Sequence, residues 1–173
     1  IRYARKKKVP LLGICLGMQL SVIEFLRNVV GIKDAGSTEF DQTNEPAVGL
    51  ISEWAHFDGY TAKGSANQKG GTMRLGAYAC ELKNDSLVRK LYDQASIQER
   101  HRHRYEVNKE RYGAQLEANG MMIVGVSPDG ELPEIIELKD HPFFIGVQFH
   151  PELKSRPFAP HPLFVGLLQA ALA

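Results

Sequence analysis

Val9-Pro10-Leu11-Leu12-Gly13-Ile14-Cys15-Leu16-Gly17-Met18-Gln19 changes period at its centre. Up to Ile14 it is a short apolar run of the kind that forms a buried parallel strand. Beyond Cys15, the residues Met18, Val22, Phe25, Leu26, Val29 and Val30 recur at helical spacing, and Gly31 stands where a helix stop is expected. Residues 9–31 therefore predict strand, sharp turn and helix. Glycines on both sides let the backbone turn tightly and leave the Cys15 side chain at the carboxyl edge of a sheet, the logic of a nucleophile elbow. The helix start offers free N–H groups, that of Leu16 above all, to an oxyanion, and its positive end favours thiolate over thiol. The competing reading is a small core cysteine. That reading is kept for Cys80, which lies on an expected strand with no glycine elbow.

A thiol needs a base, and the base needs an anionic partner to fix its tautomer. The second apolar run, residues 143–149, ends in His150-Pro151-Glu152, which offers both. Proline stops the ladder there, so the imidazole and the carboxylate can converge instead of alternating. Alone the tripeptide is equally a turn with a surface ion pair; its pairing with the cysteine elbow favours catalysis.

Working outward, residues 47–53, 57–63 and 72–82 predict strands, with a Gly/Ser/Asn/Lys-rich loop over 64–71. Asp85 is a candidate cap for a short helix to Tyr92, and Asn108 for a helix to Ala118. Residues 121–126, 134–138 and 143–149 predict three more strands, with Pro128-Asp129-Gly130 as a turn, and Pro162 opens a closing helix. The expected fold is α/β: a three-layer α/β/α sandwich with a mostly parallel central sheet plus antiparallel additions. At 173 residues this is one domain, and a net charge of +1 gives no global field toward nucleic acid or anionic lipid. Two unrelated cysteines make no disulfide framework and fit a reducing cytoplasm, and no apolar run is long enough to cross a bilayer. The row Arg100-His101-Arg102-His103-Arg104 invites a phosphate-binding reading, but Glu99 and Glu106 bracket it. His101 and His103 also raise a zinc site, for which no second ligand pair is evident.

Two segments, residues 13–19 (Gly-Ile-Cys-Leu-Gly-Met-Gln) and 148–152 (Gln-Phe-His-Pro-Glu), resemble the class I (triad) glutamine amidotransferase family. Residues 28–40, 70–76 (Gly-Gly-Thr-Met-Arg-Leu-Gly) and 99–108 (Glu-Arg-His-Arg-His-Arg-Tyr-Glu-Val-Asn) are similar to the glutaminase domains of the CTP synthase family within it. The resemblance covers essentially residues 1–173.

It implies that Cys15 attacks the side-chain amide of L-glutamine, that His150 protonates the leaving ammonia and then activates water, and that Glu152 orients His150. Substrate-holding positions fall on Leu16, Gly17, Met18, Gln19, Glu39 and Arg104, with Glu39 suited to the substrate ammonium. Arg104 is matched to its α-carboxylate, by side chain or backbone. Arg74, in an expected glycine hairpin over the pocket, is the candidate for an allosteric response to GTP. No cofactor or metal is implied within residues 1–173. The parent enzyme is implied to be a tetramer whose amidoligase domain, absent here, uses ATP with Mg2+ to aminate UTP to CTP. The chain starts at Ile1, without the glycine-rich loop that supplies the family's other oxyanion donor, so an N-terminally truncated and weakly active unit is expected. The alternatives are another amidotransferase of the class (serving guanylate, anthranilate or carbamoyl phosphate synthesis) and a catalytically silent domain.

Overall fold

The computed structural model describes residues 1–50 and 73–173. Helix α1 (Arg2–Lys7) leads to strand β1 (Leu11–Ile14) and, after Cys15, to helix α2 (Leu16–Phe25). That helix widens into a π-helical turn over Leu26–Val30 and stops at Gly31, whose φ of 95° suits glycine alone. Strands β2 (Ala35–Ser37) and β3 (Glu45–Gly49) follow. The expected strand over 57–63, the loop over 64–71 and the end of the strand over 47–53 lie outside the described residues.

From Arg74 onward come β4 (Arg74–Leu82), α3 (Leu87–Tyr92), β5 (Ser96–His103), β6 (Glu106–Val107) and α4 (Lys109–Ala118). Strands β7 (Met121–Val126), β8 (Pro133–Leu138) and β9 (Phe144–Val147), a 3-10 turn (Pro151–Leu153) and α5 (Pro162–Leu172) complete the chain. Asn108 caps α4 as expected, accepting from the Arg111 N–H. On α3 the cap is Ser86 rather than Asp85, and Glu137 of β8 accepts the Leu87 and Val88 N–H groups besides.

The main sheet runs β1-β9-β8-β7-β4-β5, and a smaller one runs β2-β3-β6. The α/β class holds, but the expected mostly parallel sheet does not among the described residues. Only β1–β9 is parallel in the main sheet; its other four pairs are antiparallel. Connection length is the cause, because the short links from β7 to β8 and from β8 to β9 close hairpins, whereas a parallel neighbour needs a crossover of about a dozen residues or more.

Strand alternation supplies two cores and three layers. Met121, Ile123, Ile136 and Phe144 face the core containing Met18 and Val22 of α2 and Tyr112 and Leu116 of α4. Val124, Ile135, Ile145 and Val147 face the core with Val88 of α3 and Leu163 of α5. Helix α2 lies close to the sheet because Gly13 and Gly146 are register partners. A Cβ at Gly13 would sit 2.8 Å from the Gly17 carbonyl carbon and oxygen. A Cβ at Gly146 would sit 2.7 Å from Ile136 Cγ1 and 3.1 Å from Met18 Cβ.

The Arg/His row resolves by the same alternation. On β5, Ile97, Glu99, His101 and His103 point inward, while Gln98, Arg100 and Arg102 point out. His101 Nδ1 and His103 Nε2 are 2.9 Å apart, and among the described residues no three His, Cys, Asp or Glu side chains are placed to hold a metal. Arg74, expected in a glycine hairpin over the pocket, begins β4 and joins this buried cluster. Its Nη1 donates to Glu106 at 3.1 Å and its Nη2 to Glu134 at 2.7 Å, with the guanidinium over the Tyr78 ring. Both ends are committed within the core, so the GTP contact proposed for it loses its basis.

One guanidinium cannot balance two buried carboxylates. Burial pushes Glu106 up to about 8 and Glu134 upward as well, with Arg74 opposing both. Burial and Arg74 push His103 down to about 3 and His101 down too. The histidines stabilise the fold above their usual 6.5, and that contribution is lost as pH falls through about 3. Glu106 acts in the opposite sense, stabilising below its usual 4.5 and losing that contribution as pH rises through about 8.

Gly13→Ala destabilises by about 1–3 kcal/mol through overpacking, whereas Gly17→Ala, which meets nothing within 4 Å, leaves the urea midpoint within about 0.5 kcal/mol. The wild-type midpoint falls on the alkaline side, between the usual carboxylate range and about pH 8, and Glu134→Gln flattens that limb by leaving Arg74 and Glu106 as a balanced pair. An unchanged alkaline slope in Glu134→Gln would refute the assignment.

Candidate active site

Cys15 occupies a left-handed backbone conformation, φ 51° and ψ −104°, at the cap of α2. An L-residue held there is strained by roughly 1–2 kcal/mol. Its N–H donates to the Val147 carbonyl at 2.7 Å, and its own carbonyl accepts from Met18 and Gln19. The sharp turn is thus fixed on one side by β9 and on the other by the first turn of α2. The thiol is half-buried, and burial pushes its pKa up, which the Leu16 N–H partly offsets. Glu106, Glu39 and Glu152 push it further up. The expected net preference of the helix start for thiolate is therefore outweighed by burial.

His150 lies beyond the end of β9, as Cys15 lies beyond the end of its parallel neighbour β1. Its Nδ1 is 2.6 Å from Glu152 Oε1, and its buried Nε2 has no protein partner among the described residues. That leaves the ring oriented by one nitrogen and available for proton transfer at the other. The His150 N–H donates to the Arg100 carbonyl of β5 at 2.8 Å, and Lys154 Nζ donates to the Gln98 carbonyl and to Glu99. Four strand spacings separate β9 from β5 in the sheet order, about 19 Å if flat. The sheet therefore curls enough for the segment after β9 to close on β5.

Glu99 is the hub of that closure. Fully buried, it accepts from Tyr92, Lys154 and His161; burial pushes its carboxyl up, but His161 and Lys154 hold it below the usual carboxylate range. Sequence reasoning missed this anchor and Gln148. The Gln148 Nε2 lies 3.7 Å from the Cys15 sulfur, and its oxygen accepts from Gln19 at 3.2 Å. Alternation on β9 carried no sign of it, since Gln148 reads as one polar residue in an apolar run.

The other expected site residues divide by exposure. Leu16, Glu39 and Arg104 are exposed and Gly17 is partly so. Glu39 is close enough to raise the Cys15 thiol electrostatically. Met18 is fully buried in the core, so only its backbone faces the turn. Gln19 is buried as well, its amide nitrogen donating to the Tyr105 carbonyl at 3.0 Å as well as to Gln148. A cysteine on a strained elbow at the end of one strand, with an imidazole paired to a carboxylate just past the end of the neighbouring strand, is the equipment of covalent acyl transfer.

The family model for class I glutamine amidotransferases matches residues 1–170. The chain is 56% identical over 172 residues to a CTP synthase of Paramagnetospirillum magneticum and 57% identical over 171 residues to one of Maricaulis maris. Each match covers 99% of this chain but 32% and 31% of those proteins, so the chain spans about a third of their length. The glutaminase domain of Trypanosoma brucei CTPS, solved with bound acivicin, superposes with a TM-score of 0.84 at 36% identity, over 99% of this chain and 63% of that one. A Thermoplasma acidophilum protein described as a GMP synthase subunit shares the fold alone, with a TM-score of 0.56 at 14% identity. Among the described residues no helix is long and apolar enough to cross a membrane. With its strand–elbow–helix, its paired His150 and Glu152 and a family match along nearly its whole length, this chain belongs to the class I glutamine amidotransferases.

Proposed function

We propose that this chain is the glutaminase unit of a CTP synthase. The observation that carries the reading is the 2.6 Å pairing of His150 Nδ1 with Glu152, set beyond β9, whose parallel neighbour β1 runs into the Cys15 elbow. His150 takes the Cys15 proton through its free Nε2, and the sulfur attacks the side-chain carbonyl carbon of L-glutamine. The Leu16 N–H donates to the developing oxyanion. As the tetrahedral centre collapses, the C–N bond breaks and His150 returns its proton to the departing nitrogen, giving ammonia and a glutamyl thioester. Water, deprotonated by His150, then attacks the thioester, the C–S bond breaks, and glutamate leaves with the thiol restored.

Exposed Glu39 pairs the substrate ammonium, Arg104 meets its α-carboxylate, and the backbone of residues 16–19 lines the reacting end. The names and lengths of the relatives support the wider reading. An amidoligase domain of the same polypeptide receives the ammonia and uses ATP with Mg2+ to convert UTP to CTP, under GTP activation and as a tetramer. The free thiols support a cytoplasmic setting.

In the full-length polypeptide that carries this chain, Cys15→Ala lowers glutamine-dependent CTP formation by at least about a thousandfold and leaves CTP formation from added ammonium chloride intact. Loss of both activities would make Cys15 a packing residue and overturn the proposal.

A further inference from the structure

The Tyr105 carbonyl oxygen can only accept hydrogen bonds, and this fixes the direction of every bond in a buried chain on both sides of it. Two groups approach it: Gln19 Nε2 at 3.0 Å and His103 Nδ1 at 3.1 Å. On the histidine side, His103 must carry its proton on Nδ1, so its Nε2 accepts from His101 Nδ1 at 2.9 Å. His101 then presents a bare Nε2 to Glu134 Oε2, 3.7 Å away. Among the described residues, neither of those two atoms has a hydrogen-bond partner, and 3.7 Å is too long for a hydrogen bond between them. On the glutamine side, the nitrogen of Gln19 faces Tyr105, so the same nitrogen also donates to Gln148 Oε1 at 3.2 Å. That turns the Gln148 amide so that its nitrogen, not its oxygen, faces the Cys15 sulfur at 3.7 Å.

We infer that Gln148 is a built-in donor to the Cys15 sulfur, that Gln19 positions its amide, and that His103 acts one step further back by holding the Tyr105 carbonyl to which Gln19 donates. The inference rests on the glutaminase reading for its purpose. Three carboxylates bear on Cys15: Glu106 on β6, Glu39 ahead of β3, and Glu152 after β9, with His150 adjoining Glu152. All three disfavour a thiolate, and the Leu16 N–H alone opposes them from the helix. A second donor aimed at the sulfur stabilises the nucleophilic form before substrate arrives. Because Gln19, Gln148, His101 and Glu134 are all nearly or fully buried, water cannot take over their roles.

The test is the pH dependence of Cys15 alkylation by iodoacetamide in this chain, read on the Cys15 peptide by mass spectrometry so that buried Cys80 does not interfere. Gln148→Met keeps the length of the side chain without its donor, and raises the apparent thiol pKa by about one unit, an approximately tenfold slower reaction at pH 7. His103→Leu shifts it in the same direction by less, and His103→Gln, whose amide can still donate to Tyr105, restores at least half of that shift. In the double variant Gln148→Met/His103→Leu the shift equals that of Gln148→Met alone. A wild-type profile for Gln148→Met, or additive shifts in the double variant, would overturn the inference. If His103→Leu fails to melt cooperatively by circular dichroism, Gln19→Met is the positioning variant read in the same way. Labelling of wild-type Cys15 by a glutamine-like diazoketone reads the glutaminase proposal separately: no labelling with the shifts intact sinks that proposal and leaves the donor chain standing.

Discussion

Everything at the candidate site depends on two facing residues having no side chain. Gly13 and Gly146 are neighbours on β1 and β9, and the space their missing Cβ atoms leave is filled by the backbone of Gly17 and by Met18 and Ile136. Contact this close lets α2 begin one residue after β1 ends. With no room for a loop, the turn falls on a single residue, Cys15, which takes the strained backbone conformation. The strain is a consequence of packing, and it is sustained by the bond from Cys15 to Val147 and by those from Met18 and Gln19.

The second support is the curl of the sheet. Because its far edge returns to β9, strand β5 can hold the segment bearing His150 through the carbonyls of Gln98 and Arg100. Inward-facing residues of the same strand build two polar clusters with different balances. Glu99 collects three donors and stays charged, while Arg74 lies between two carboxylates and can neutralise one. The first is a firm anchor for the turn after β9; the second is a buried site with one charge too many unless it retains a proton.

Much of this was legible in the chain itself. The change of period at Cys15 located the elbow, because strand and helix periodicities differ and two glycines mark the join. Asn108, Pro162 and Gly31 marked helix ends for local reasons that tertiary packing did not override. Sheet polarity was not legible: an apolar run of four to six residues looks the same in a parallel or an antiparallel pair, and only the connection lengths discriminate. Arg74 misled because a charged residue near glycines reads as exposed, and its carboxylate partners, Glu106 and Glu134, are 32 and 60 residues away. Gln148 was invisible for a related reason: its meaning lies in the direction of its amide, which is set by a carbonyl on another strand.

The hold of β5 on the segment after β9 also bears on how the molecule keeps to itself. Among the described residues β5 ends the main sheet, and the carbonyls of Gln98 and Arg100 are what such a border offers to an incoming chain. Here they are already taken by Lys154 and by the backbone of His150. The segment carrying the proposed base thus doubles as a stopper on a sticky margin, so a lesion that frees it invites self-association along with any loss of chemistry.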